Sequence, residues 1–183
     1  MPPLLNPDRV RFWNALFGKA SAEASVIAQR SGKAQKRNHR PKLQLSDDET
    51  SRLILLIYCT LAIEARANHL IDELVERGRL SESESTAVQR LSAEAKWFML
   101  PKLAGVRKRL DPARPPHQAI VELCALRNAL FHVNFKRIQD RLPPAGKMLS
   151  LFSGFVAAME DLNVVLGRST RPRRAVLELG DFQ

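Results

Sequence analysis

The sequence predicts an all-α fold, a single-domain bundle of about five helices. Three observations carry that expectation. Apolar residues recur at three-then-four spacing in one segment after another. No segment sustains the apolar/polar alternation of a half-buried strand, and the only short strand-like stretch is Ala175 to Leu179. Proline and glycine breaks separate the periodic segments. A chain of 183 residues suits one domain with a sizeable core.

The first helix is expected over residues 8–29, where Val10, Trp13, Phe17 and Ala20 share a face. A basic stretch follows, with Arg30, Lys33, Lys36, Arg37, Arg40 and Lys42 and no acid among them. It reads either as a solvated linker or as a phosphate-contacting arm. Ser46 then offers an N-cap, with Asp47, Asp48 and Glu49 filling the first turn of a long helix. That helix runs to Arg77 and stops near Gly78, a natural C-cap residue. Along it Ile54, Ile57, Leu61, Glu64, Asn68, Ile71 and Val75 form one seam, which gives Glu64 a core position.

After a polar connection from Ser81 to Ser85, residues 84–100 resume helical spacing through Val88, Leu91, Ala95, Phe98 and Met99, up to Pro101. The stretch from Asp111 to Pro116 is a clear break, and Pro116 suits the first turn of a further helix from His117 to Asp140. A second break, Leu142 to Gly146, precedes the last amphipathic helix, marked by Met148, Phe152, Phe155, Met159, Leu162 and Leu166. The chain then turns basic through Arg168, Arg171, Arg173 and Arg174. The expected organisation is an N-terminal helix and basic linker (1–45), a helical domain (46–166) and a basic tail (167–183).

Lysine and arginine number 29 against 19 acidic residues, for a net charge of +10 and a pI near 10.3. Such a balance favours a polyanionic partner, nucleic acid first. The two cysteines, Cys59 and Cys124, lie among apolar residues at helical spacing and read as small core residues rather than a disulfide or metal pair. Pro2, Pro3, Asp8, Arg9 and Arg11 leave no room for a secretory signal, and the apolar run from Leu53 to Ile63 is short for a bilayer. The expectation is a soluble, cytoplasmic protein without a membrane partner. No metal-ligand spacing, glycine-rich phosphate loop or serine nucleophile motif is present, so no metal and no cofactor is expected. Trp13, Trp97 and Phe98 are expected in the core, though such rings also stack on bases.

The segment Arg127-Asn128-Ala129-Leu130-Phe131-His132 sets a guanidinium, an amide and an imidazole inside an apolar helix. On a wheel advancing roughly 100° per residue, Ile120, Leu123, Cys124, Phe131, Phe135 and Ile138 form one apolar stripe. Arg127 lies near its centre, and Asn128 and His132 flank it beside Val121. A buried arginine needs a carboxylate partner. Glu64, in the core seam of the long helix, is the expected one.

The segments Leu61-Ala62-Ile63-Glu64-Ala65 and Leu126 to His132 resemble the HEPN superfamily of small helical domains, many of them ribonucleases. The hallmark is an arginine followed by a polar residue, with a histidine beyond a gap of four to six residues. Here four residues separate Arg127 from His132, and Asn128 is the polar follower. The acid often carried on an earlier long helix corresponds to Glu64. The resemblance covers about residues 46–166 and implies a homodimer whose two motifs share one cleft.

Metal-free RNA cleavage needs a base for the 2′-hydroxyl, a donor for the phosphate and an acid for the leaving 5′-oxygen. The resemblance assigns His132 as base or acid, with the partner chain's His132 in the complementary role. Arg127 offers a forked donor to phosphate, Glu64 holds that fork when no RNA is bound, and Asn128 contacts the phosphate or orients His132. His39, His69 and His117 are expected to be incidental. The reading that follows is a metal-independent endoribonuclease acting on RNA as a homodimer, in the manner of a toxin paired with an antitoxin protein or an antiphage component. The competing reading is a non-catalytic helical module that binds nucleic acid or a protein through the basic linker and the tail around Arg171, Arg173 and Arg174. A DNA regulator is a weaker variant, for no helix pair with a short turn is evident.

Overall fold

The computed structural model describes residues 7–31, 45–131 and 141–168, and their regular structure is entirely helical. Six helices occur among them: α1 (Pro7–Ser31), α2 (Asp47–Glu76), α3 (Glu82–Gln89), α4 (Ala93–Leu103), α5 (Gln118–Phe131) and α6 (Ala145–Val165). Several expectations fall outside the described residues: the stretch Ala175 to Leu179, His39, the basic residues of 33–42 and 171–174, and His132, Phe135 and Ile138. The same holds for the side chains of Val10 and Trp13.

Local chemistry sets the ends of α2. Ser46 Oγ accepts the Glu49 N–H at 3.2 Å, and Glu49 Oε2 accepts the Ser46 N–H at 2.7 Å, a reciprocal capping box. At the other end Gly78 takes φ +65°, so its N–H reaches Val75 O at 2.8 Å and the Arg79 N–H reaches Leu74 O at 2.8 Å. α6 ends the same way at Gly167, and that turn delivers Arg168 to a carboxylate on α2.

The segment 84–100 is not one helix but two. α3 ends at Gln89, and Ser92 Oγ restarts the chain by capping the Ala95 N–H at 3.2 Å. A restart resets the helical phase, so a wheel drawn through both pieces selects the wrong face. Lys96, Trp97, Leu100 and Pro101 are the buried residues of α4, whereas Leu91 is exposed and Phe98 and Met99 are half-buried.

α2 is the central element, packed against each of the other five helices. Because neighbours surround it, Leu55, Leu56, Cys59, Ile63, Leu70 and Ile71 are all buried although they point in several directions. Of the expected seam, Ile71 is buried, Leu61 is exposed, and Glu64 and Asn68 are half-buried. The seam is an edge of α2, not its deepest line. α1 belongs to the same core through Leu16, Ala20, Ala24 and Ile27, and the Phe17 ring lies 5.8 Å from that of Phe155. α5 and α6 meet at Gly154, where a Cβ would come within 2.6 Å of the Ala119 Cβ.

α2 and α6 are long and apolar enough, by length and composition alone, to cross a membrane. Most of that apolar stretch of α2 is buried in the core, α6 buries one face there through Met148, Phe152, Phe155, Met159 and Leu162, and α2 carries buried polar groups that pair inside the bundle. Arg66 Nη2 donates to Asn163 Oδ1 of α6 at 2.8 Å, and His69 Nε2 lies 3.1 Å from Glu73 Oε1. Arg168 closes the cluster with an ion pair to Glu73. Burial first, then the nearby Arg66 and Arg168, push the His69 pKa from 6.5 down to about 4.

Two expectations follow for stability. Gly154→Ala should lower the unfolding free energy by about 1–3 kcal/mol through overpacking against Ala119, read as a lower urea midpoint. His69 stays neutral in the folded state below the pH at which it titrates when unfolded, so the unfolded chain binds the extra proton. Stability should therefore fall as the pH drops from above 6.5 towards about 4. About 2 kcal/mol is expected between pH 7 and pH 5, and urea unfolding of His69→Gln should show a correspondingly smaller loss.

Candidate active site

Three helices enclose a cavity of about 220 Å³. α2 contributes Thr60, Leu61 and Glu64, the start of α4 contributes Ser92, Ala93 and Glu94, and α5 contributes Cys124, Arg127 and Asn128. Three of the four residues expected at the site, Glu64, Arg127 and Asn128, thus line one cavity. The fourth, His132, lies outside the described residues.

α5 positions its polar pair by burying its other side. Ile120, Leu123, Cys124 and Leu130 enter the core, while Arg127 and Asn128 emerge at the cavity. Arg127 is exposed, which corrects its expected place at the centre of a buried stripe. A helical wheel puts Phe131 in the core, but that ring is 66% exposed, and Leu130 takes the buried position instead. The Arg127 guanidinium lies 5.0 Å from the centre of the Phe131 ring, and its Nη1 donates to Asn128 Oδ1 at 3.2 Å.

The expected Glu64–Arg127 ion pair is replaced by another. Lys96 Nζ sits 3.2 Å from Glu64 Oε1 and donates to Asn68 Oδ1 at 2.8 Å. Lys96 is 1% exposed, and a buried ammonium costs several kcal/mol unless hydrogen-bonded and paired. Glu64 is drawn to that charge and not to an arginine already hydrated at the surface. Periodicity drawn through residues 84–100 as one helix conceals Lys96. Once Ser92 is taken as an N-cap, Lys96, Trp97 and Leu100 fall on the inward face of a new helix.

Glu64 Oε1 is thus held from behind by Lys96, while its side chain keeps 45% exposure at the cavity. The Cys124 thiol also lines the cavity, and burial first, then Glu94, push its pKa up to about 11. It stays protonated at neutral pH, which excludes it as a resting thiolate nucleophile. Among the described residues no group of three or more His, Cys, Asp or Glu side chains is placed to hold a metal ion.

His117, expected to be incidental, is buried and fully engaged. Trp97 Nε1 donates to His117 Nδ1 at 3.3 Å, so the ring carries its proton on Nε2 and donates to Asp161 Oδ2 at 2.9 Å. That hydrogen bond first, with Lys108 assisting, holds the Asp161 carboxyl below the usual carboxylate range. The ring ties α4, the start of α5 and α6 together. His69 has the comparable structural role within the Glu73 cluster, and neither histidine lines the cavity. Of the basic stretch expected after α1, Arg30 donates through Nη1 to Ser51 Oγ of α2 at 3.2 Å.

Comparison with protein-family models, curated proteins and solved structures gives no match.

The Lys96 arrangement makes a paired prediction. Lys96→Met keeps the buried stem and removes the charge, and Glu64, being 45% exposed, is left hydrated rather than as an uncompensated buried charge, so stability should stay within about 1 kcal/mol of the wild type. Lys96→Ala opens a void beside Trp97 and should cost about 2–4 kcal/mol. Urea unfolding of the two variants checks both values.

Proposed function

We propose that this chain is a metal-independent endoribonuclease of the HEPN type, acting on RNA in the cytoplasm as a homodimer. The observation that carries the reading is the convergence of Glu64, Arg127 and Asn128 on one cavity, with both α5 side chains exposed on the turn that precedes His132 in sequence. A surface guanidinium backed by an aromatic ring is available to a phosphate, whereas one locked in a buried ion pair is not. The net charge of +10 suits a polyanionic substrate.

In this reading His132 moves the proton of the 2′-hydroxyl or of the leaving 5′-oxygen, and the partner chain's His132 takes the opposite role. Arg127 carries the charge that develops on the phosphate. Asn128 orients the Arg127 fork through the hydrogen bond between them. Glu64, fixed by Lys96, completes the acidic side of the cavity, and Asn128 and the Phe131 ring hold the arginine when RNA is absent. A toxin controlled by an antitoxin protein, or an antiphage component, is the physiological setting that suits this chemistry.

The test is cleavage of labelled transfer and messenger RNA by the purified protein in excess EDTA. The wild type should cut, and His132→Ala and Arg127→Ala should each lose at least about 100-fold in rate. Arg127→Ala should unfold at the same urea concentration as the wild type, because the side chain is exposed. Cleavage that survives both substitutions, or that EDTA abolishes, would falsify the reading. Absence of cleavage by the wild type would favour the non-catalytic binding module.

A further inference from the structure

On the other side of α4 from Lys96 lies a second cavity, a groove of about 560 Å³ between the end of α4 and the segment that follows it. Phe98, Met99, Val106 and Leu110 give it an apolar floor, and Lys102, Arg107 and Arg109 give it a basic rim. All three rim residues are exposed, and Phe98, Met99 and Val106 are half-buried. None of these residues belongs to the linker or the tail, where the sequence alone points for nucleic-acid contacts.

We propose that this groove binds single-stranded nucleic acid, with phosphates on Lys102, Arg107 and Arg109 and unpaired bases against Phe98 and its apolar neighbours. The fold keeps the charges turned to this use. In the run Arg107-Lys108-Arg109, Lys108 pairs with Asp161 of α6 at 3.4 Å, while Arg107 and Arg109 line the groove. The nearby Asp111 carboxylate lies 3.3 Å from Arg114 and is thus partly neutralised. Beneath the floor the Phe98 ring packs edge-on against His117 at 6.1 Å, and His117 is itself fixed by Trp97 and Asp161. The aromatic surface is therefore held in place by a buried hydrogen-bonded ring.

A rigid apolar floor with a cationic rim is the chemistry that single strands need, for only unpaired bases present their faces to stacking. A duplex would use the rim and waste the floor. An acidic peptide would satisfy the rim alone and is distinguished by the measurement below.

The probe is a fluorescein-labelled 2′-O-methyl RNA 12-mer, which has no 2′-hydroxyl to attack the phosphate. Binding read on it stands or falls independently of the cleavage reading. Fluorescence polarisation should show the single strand bound at least 10-fold more tightly than the same sequence as a duplex. The triple variant Lys102→Gln, Arg107→Gln, Arg109→Gln should lose 10-fold or more in affinity. Its slope of log affinity against log salt should be shallower by about 2, since each phosphate neutralised on a single strand contributes roughly 0.7 to that slope. Arg107→Glu alone should weaken binding several-fold and serves if the triple variant does not fold. Phe98→Leu should weaken the single strand and leave duplex binding unchanged. A DNA 12-mer bound as tightly as the RNA analogue would support backbone and base-face recognition; tighter RNA-analogue binding would add a sugar contact to it. Unchanged affinity and salt slope in the triple variant would overturn the proposal, as would equal binding of duplex and single strand or displacement by poly-glutamate at equal charge concentration.

Discussion

The buried ammonium of Lys96 is the constraint around which the candidate site is arranged. A charge at 1% exposure persists only where its hydrogen bonds are supplied from within, and here α2 supplies them through Glu64 and Asn68. That requirement fixes the rotation of α4 against α2. It also places Ser92 and Glu94 in the wall of the cavity that Arg127 lines and turns one Glu64 oxygen inward while the carboxylate stays accessible. The cavity is therefore a consequence of satisfying one internal charge, with apolar packing by Trp97 and Leu100 on either side of it.

The same principle recurs at the other junctions. Glu73, His69 and Arg168 join the end of α6 to α2, and Trp97, His117 and Asp161 join α4, α5 and α6. Each cluster couples helices distant in sequence, where apolar contact alone would tolerate sliding. A bundle whose central helix meets five neighbours gains specificity from such pairings, since a slip of one residue would leave a charge or an imidazole unpaired in the core. The segment carrying the basic groove depends on the His117 cluster in the same way.

Much of this is legible in the sequence where the signal is local. Ser46 with Glu49 and Gly78 mark the two ends of α2 because caps and left-handed turns depend on a few adjacent residues. The helical class follows from spacing alone. The deeper line of α2 is not legible, because a helix apolar on several faces has no single face for periodicity to find. Arg127 is misplaced by periodicity for a related reason: Phe131 looks like core on a wheel, yet α5 has no neighbour among the described residues to cover it. Lys96 is hidden by the phase reset at Ser92, and His117 by the long separation from Trp97 and Asp161, which only the folded chain brings together. The convergence of Glu64, Arg127 and Asn128 is foreshadowed in the sequence, although it comes about through a shared cavity and not through a direct ion pair.

The RNA cleavage proposed for that cavity would leave its mark on the ends of the products. Attack by a 2′-hydroxyl, with its proton taken by a histidine and the phosphate charge carried by Arg127, leaves a 2′,3′-cyclic phosphate on one fragment and a 5′-hydroxyl on the other. Mass spectrometry of fragments produced in excess EDTA should show those two ends. Fragments ending in a 3′-hydroxyl and a 5′-phosphate would rule that chemistry out, since they require a water nucleophile and a different arrangement of groups.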